Sequence, residues 1–305
     1  MPELPDIEDY RAALRARMVG NVLANARIRA FTLLSTFDPP VDALHGQVVT
    51  DVRRLGKRIV FVFGQVDPQP LFGVLHLMVA GRLRWEEFGA KVPGRIGLAA
   101  FDVETPGGEP VGALVLTEAG TKKRARLAVV REEGLADHDR GGLEPLETDR
   151  AGFVAAVTAT NRTLKRGLTD PRVLSGIGNA YSDEILHAAG LSPVARTQQL
   201  DEDELTRLYE STVEVLTTWQ RRLRDETGDG FPTKVTAFRD DFAAHGRFEQ
   251  PCPVCGTPIA RIRYADNETN YCPRCQTEGR LLKDRSLSRI LKDDWPSTID
   301  EAEAD

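Results

Sequence analysis

The stretch Cys252-Pro-Val-Cys255-Gly-Thr-Pro-Ile-Ala-Arg-Ile-Arg-Tyr-Ala-Asp-Asn-Glu-Thr-Asn-Tyr-Cys272-Pro-Arg-Cys275 holds all four cysteines of this 305-residue chain. They form two Cys-x-x-Cys pairs separated by sixteen residues. Each pair presents two thiolates to one ion, and the intervening segment is long enough for a hairpin that brings the second pair round to complete a tetrahedron. Two disulfides are the alternative, which a reducing compartment disfavours. Four thiolates leave no coordination position for water, so the spacing predicts one structural zinc ion on Cys252, Cys255, Cys272 and Cys275 and no catalytic metal.

Around this module the chain is locally basic. Residues 247–292 carry nine basic and five acidic side chains, although the formal net charge is −6. The excess of acid lies in residues 293–305, with six carboxylates and no cation; the remainder has forty basic and forty acidic residues. A surface for phosphate is therefore compatible with the overall charge, and the acidic end reads as a solvated, disordered tail. The apolar content of 41% and the length suit two domains with their own cores. No run approaches the ~20 apolar residues of a membrane span, and the start lacks a signal-peptide pattern, which predicts a cytoplasmic protein with no membrane partner.

Upstream, the hydrophobic period changes twice. Ile7, Tyr10, Leu14 and Met18 recur at helical spacing between Pro5 and Gly20, predicting a helix over about 5–18. From 22 to 130 short β-rich runs such as 58–63, 72–79 and 111–116 alternate with Gly, Pro and Asp turns, which predicts an antiparallel sandwich or barrel. Residues 135–148, with Gly141-Gly142 and Pro145, read as a linker, and the pattern is then helical to about 224. The fold class is thus α+β.

Two short motifs carry chemistry. If Met1 is removed, Pro2 exposes a secondary amine beside the carboxylic acid of Glu3. An α-amino group has a pKa of about 7.7–8.0, far below that of lysine, so a useful fraction is neutral near pH 7.5. Attack by a secondary amine on an aldehyde-like carbon gives an iminium, the electron sink that Schiff-base enzymes use; on these residues alone, an ordinary chain start is the competing reading. In Leu168-Thr-Asp-Pro-Arg-Val-Leu-Ser-Gly-Ile-Gly-Asn-Ala-Tyr-Ser-Asp-Glu184, Gly176 and Gly178 permit a tight turn and Asn179 is placed to cap the next helix. Exposed amides at such a helix start suit a phosphate, and an ordinary helical hairpin is the alternative.

Pro2-Glu3, the glycine turn and the closing knuckles, in that order, resemble the formamidopyrimidine-DNA glycosylase and endonuclease VIII family, over residues 1 to about 275. The Met1-Pro2-Glu3-Leu4-Pro5 start is similar to the formamidopyrimidine branch. The resemblance implies an N-terminal catalytic helix and β-sandwich (1–134), the linker (135–148), a helix-two-turn-helix DNA-binding domain (149–246), a β-hairpin zinc finger with a basic extension (247–292) and the acidic tail (293–305). It implies a bifunctional DNA glycosylase and abasic-site lyase of base excision repair, a monomer on double-stranded DNA containing damaged bases or abasic sites. Pro2 would attack the sugar C1′, Glu3 would shuttle protons, and Lys57, in Leu55-Gly-Lys-Arg58, would meet phosphate or lesion. His76, Lys123, Arg124, Asn179 and Arg280 are the expected DNA contacts. Asp6 and Glu184 are expected in support, Glu184 by orienting Pro2, with a plain surface carboxylate as the alternative.

The chain departs from the family at several positions. Asp6 stands where glutamate is usual, Ala125 where relatives carry a wedging Phe, Val79 where they carry Met, and Asn267 near a phosphate-gripping Arg. Residues 228–235 replace the usual lesion-capping run, and 279–292 extend past the last cysteine with the pattern of an amphipathic basic helix. Two other functions remain compatible: a non-catalytic damage-binding protein, and a glycosylase for an unusual adduct or crosslink.

Overall fold

The computed structural model describes residues 1–66, 69–264, 267–283 and 297–303, which divide into two compact units. The first comprises residues 1–140 and 219–236, the second the remainder.

Helix α1 (Leu4–Met18) opens the first unit, with Glu3 at its N-cap and Pro5 in its first turn, where the missing proline N–H costs nothing. Leu4, Ile7, Tyr10, Leu14 and Met18 form its buried stripe. The strands are β1 (Val22–Ile28), β2 (Gln47–Leu55), β3 (Arg58–Val66), β4 (Gln69–His76), β5 (Gly81–Glu86), β6 (Gly97–Glu104), β7 (Pro110–Glu118) and β8 (Arg126–Val130). All pair antiparallel, in the order β5-β7-β6-β1-β2-β3-β4-β8. β1 and β2 share only the pairs Val22↔Val48 and Leu23↔Gln47, so the sheet divides there into two four-stranded halves. Phe61, Phe63, Leu75 and Leu127 from one half meet Leu98, Phe101, Leu114 and Leu116 from the other, with α1 closing the same core.

The run Arg58-Ile-Val-Phe-Val-Phe63 is apolar on both faces because both are covered. Ile59, Phe61 and Phe63 point into the main core, while Val60 and Val62 pack with Phe72, Val74, Ala128 and Val130 on the other side. Leu135, on a 3-10 helix (Glu132–His138), lies over this second cluster. The expected linker therefore starts as part of the first unit, and by Leu143, which bridges to Leu174, the chain belongs to the second.

The expected strand 72–79 ends at His76. Its apolar run continues because Leu77 remains in the core, but Met78 turns the chain at φ 53° and leaves Val79 exposed.

The second unit contains α2 (Arg150–Thr158), α3 (Leu164–Thr169), α4 (Asn179–Ala189) and most of α5 (Glu202–Thr227), then a hairpin of β9 (Ala260–Tyr264) and β10 (Asn267–Tyr271), α6 (Pro273–Thr277) and α7 (Ile299–Glu303). Asp149 caps α2 by accepting the Gly152 amide at 2.8 Å.

Two expectations change. The end of α5 and residues 228–236 belong to the first unit, not to the helical domain. Thr227 donates to Asp9 Oδ2 at 2.8 Å, Arg17 donates to the carbonyls of Asp229 and Gly230, and Arg82 Nε reaches the Val235 carbonyl at 2.6 Å. The Phe231 ring lies 5.8 Å from that of Tyr10. The tail also has structure, since Leu281 N donates to Ser297 O and Ile299 N to Gly279 O, both at 2.9 Å. Residues 280–283 are not helical, and Arg285, Leu287 and Leu291 of the expected basic helix lie outside the described residues.

Tyr10 is buried, and its hydroxyl accepts the Leu83 amide at 3.2 Å. Tyr10→Phe is expected to leave that N–H unpaired and cost about 1–3 kcal/mol, read as a lower midpoint in urea denaturation.

Candidate functional site

At the start of α1, Glu3 is 3% exposed and its amide donates to Asp6 Oδ2 at 2.9 Å. Asp6 satisfies one of the orphan amides of the helix start and fixes the backbone that carries Glu3. Burial pulls the pKa of the neighbouring Met1 amine below its usual 8.0; Glu3 opposes this, while Arg82 and Lys57 reinforce it. Lys57, beside Gly56 in the β2–β3 turn, is also lowered, by burial first, with Glu3 again opposing. The chain terminus, Glu3, Asp6, Lys57 and Arg82 thus act on one another. Arg82 was not legible in the sequence, where it is one of many arginines beside a glycine.

His76 closes β4 opposite Arg58 on β3 and Arg126 on β8. Burial, then the charges of Arg58 and Lys57, push its pKa down to about 4. A neutral imidazole in this cationic surrounding retains one N–H donor. Nearby in sequence, the loop before β8 is organised by the buried Glu118, a residue the sequence did not single out. Its Oε2 accepts the amides of Arg124 and Ala125 at 2.9 and 3.1 Å, and its carbonyl accepts the Lys123 ammonium. Lys123 is therefore turned back on its own loop, whereas the Arg124 side chain is exposed. Ala125 is 1% exposed within the core, and Val79 is 53% exposed.

In the second unit Gly176 adopts φ +81° and Gly178 is the extended N-cap, so Asn179 is the first residue of α4 and not its cap. Its Nδ2 donates to the Glu268 carbonyl of β10 at 2.8 Å. Lys165 donates to the Asn179 carbonyl at 2.7 Å and to Asp183 Oδ1 at 2.5 Å, and His245 Nδ1 meets Asp183 Oδ2 at 2.7 Å. Glu184 accepts the amides of Ala243, Ala244 and His245 at 2.7–2.9 Å. Burial raises its pKa, against the pull of those amides. Glu184 is thus a buried carboxyl and not a surface one, with both oxygens engaged within the second unit. Arg280 is exposed and pairs with Glu278 at 3.0 Å. Asn267 begins β10, and its side chain lies outside the described part.

All four cysteine Sγ atoms lie within 4.8 Å of one another, two on each side of the β9–β10 hairpin. Cys255 and Cys272 are 3.4 Å apart and Cys252 and Cys275 3.9 Å. Disulfides need about 2.05 Å; a tetrahedron with Zn–S near 2.3 Å separates its sulfurs by about 3.8 Å. The residues fit one structural zinc. Val254 and Cys275 amides point at Cys252 and Cys272 sulfurs, each at 3.4 Å, as thiolates prefer.

Residues 1–128 match the formamidopyrimidine-DNA glycosylase N-terminal domain, 142–223 the formamidopyrimidine-DNA glycosylase H2TH domain, and 249–277 the zinc finger found in FPG and IleRS. The formamidopyrimidine-DNA glycosylase of Thermus thermophilus is 32% identical over 298 residues, covering 92% of this chain and all of that one. The Geotalea uraniireducens enzyme of the same name is 30% identical over 90% of this chain and its own full length. An uncharacterized formamidopyrimidine-DNA glycosylase-like protein of Mycobacterium tuberculosis is 42% identical over 47% of this chain and 87% of its own. Lactococcus lactis Fpg in complex with abasic-site DNA shares the fold at TM-score 0.76 and 22% identity, over 90% of this chain and 99% of that one. The chain belongs to the formamidopyrimidine-DNA glycosylase family of DNA-repair glycosylases, with its DNA-binding helical domain and zinc finger.

Metal analysis of the purified protein is expected to return one zinc per chain, and Cys272→Ala to lose it, because three sulfurs no longer saturate the ion. His76 gives a second expectation. With the folded pKa near 4 and the unfolded one near 6.5, its contribution to stability is complete above pH 6.5 and is lost as the pH falls towards 4. Wild type should lose about 3 kcal/mol more than His76→Gln across that window, measured as the difference between their urea midpoints.

Proposed function

We propose that the protein is a bifunctional glycosylase and abasic-site lyase that works through its N-terminal proline once Met1 is removed. The carrying observation is that Pro2 and the carboxyl of Glu3 beside it are both buried at the start of α1, where desolvation favours the neutral form of an amine. A neutral amine is the attacking form. Pro2 nitrogen bonds to C1′ of a flipped nucleotide, the glycosidic bond breaks, and the base leaves with a proton; damaged bases unstack at lower cost than paired normal ones. Glu3 donates a proton to the ring oxygen as the sugar opens, and an iminium results. That cation acidifies the C2′ proton, whose removal expels the 3′ phosphate, and a second elimination expels the 5′ phosphate.

Lys57 supplies positive charge to a phosphate or to the lesion, and neutral His76 supplies an N–H donor without further charge. Asn179, fixed to β10, presents the first turn of α4 to backbone phosphate, a placement that suits an anion. Arg124 and Arg280, both exposed, add screened phosphate contacts. The partner is double-stranded DNA with an oxidised base or an abasic site, met by a cytosolic monomer. The catalytic reading is preferred to a non-catalytic damage binder because Glu3 is held buried at the terminus, a position that binding alone does not require. Ala125, enclosed by the core, leaves no aromatic wedge at that position, which supports a lesion range different from that of relatives with a Phe there.

Borohydride added to the protein and abasic-site DNA is expected to trap a covalent adduct. Pro2→Gly should reduce the adduct severely, and a form that retains Met1 should form none. A wild-type protein with Pro2 exposed that binds the DNA but yields no adduct would refute the lyase assignment.

A further inference from the structure

His187 lies in the last turn of α4, buried, with Nε2 3.2 Å from Cys252 Sγ. The residues are 65 apart in sequence, so the contact joins the helix of the glycine turn directly to a zinc ligand. A zinc-bound thiolate carries no proton, which makes the ring nitrogen the donor and requires the Nε2–H tautomer. The backbone amides at Cys252 and Cys272 come from within their own knuckles; His187 comes from another element.

We propose that His187 is a positioning residue of the zinc site: its Nε2–H holds the Cys252 thiolate in the direction the tetrahedron needs and fixes the metal module to α4. Outer partners of metal ligands orient the donor atom and tune the charge it presents. Here the N–H stabilises the thiolate form and withdraws charge from the sulfur. Asn179 begins the same helix eight residues earlier, about 12 Å along the axis at 1.5 Å per residue. One rigid element therefore carries a candidate phosphate contact at one end and the hold on a metal ligand at the other. The hold on Cys252 is independent of the chemistry at Pro2.

Zinc affinity of the full-length protein, measured by chelator competition, separates the donor from mere packing. His187→Phe fills the space but has no N–H, and should weaken zinc binding about 10–100-fold. His187→Gln carries an amide N–H at similar reach and should recover most of that loss. In the cobalt-substituted proteins, the thiolate-to-metal charge-transfer bands should move to lower energy in His187→Phe and return towards wild type in His187→Gln. Wild-type affinity in both variants would overturn the assignment, as would equal weakening in both, which would identify ring packing as the cause. Should His187→Phe fail to fold, the cadmium-113-loaded wild type decides: its nitrogen-15 spectrum is expected to show His187 protonated at Nε2 with scalar coupling to the metal. A ring protonated at Nδ1 alone would overturn the proposal.

Discussion

Two adjacent buried carboxylates, Asp183 and Glu184, organise the second unit. A buried ionised group is tolerated only when its oxygens are supplied with donors, and these are: one carboxylate takes Lys165, His245 and the Asn270 amide, the other takes three successive amides from 243–245. Because those donors come from α3, from the segment before the knuckles and from β10, satisfying the two side chains fixes the zinc hairpin to α4. The orientation of Asn179 follows, since its amide donates to the same hairpin strand.

The first unit uses the same physics on a smaller scale. Asp6 takes the Glu3 amide, and the α1 stripe from Leu4 to Met18 buries the helix against the sheets. The chain start is thereby held in a partly desolvated place, where an amine is easier to deprotonate than in water. Positioning and tuning come from one arrangement: the contacts that bury the helix also dry its end.

Much of this was legible where a pattern is local. The period of α1, the turn-bounded β-rich runs of the first unit and the cysteine spacing each depend on residues close in sequence, and they gave the helix, the strands and the hairpin site that are found. Errors arose where a distant partner decides. Leu77 extends an apolar run beyond the end of β4 because it is still core, while Met78 has already turned. Asn179 and Gly178 are both acceptable caps, and only the backbone angles assign the role to glycine. Glu184 has no sequence mark of its targets, which lie about sixty residues later. Residues 228–236 show no period, because their place is set by hydrogen bonds from Arg17 and Arg82 to their carbonyls and by Phe231 and Val235 packing on the core.

That last segment has a consequence for the order of synthesis. The first unit is closed by residues that follow most of the second unit in the chain, so a ribosome that has released residues 1–140 has not yet supplied the piece that covers Tyr10, Arg17 and Trp85. Domains tend to fold as units from the N-terminus as they emerge. The nascent sandwich therefore lacks the cover for part of its aromatic surface until residue 236 has left the exit tunnel, and the surroundings of α1 are completed only after translation of the helical region between.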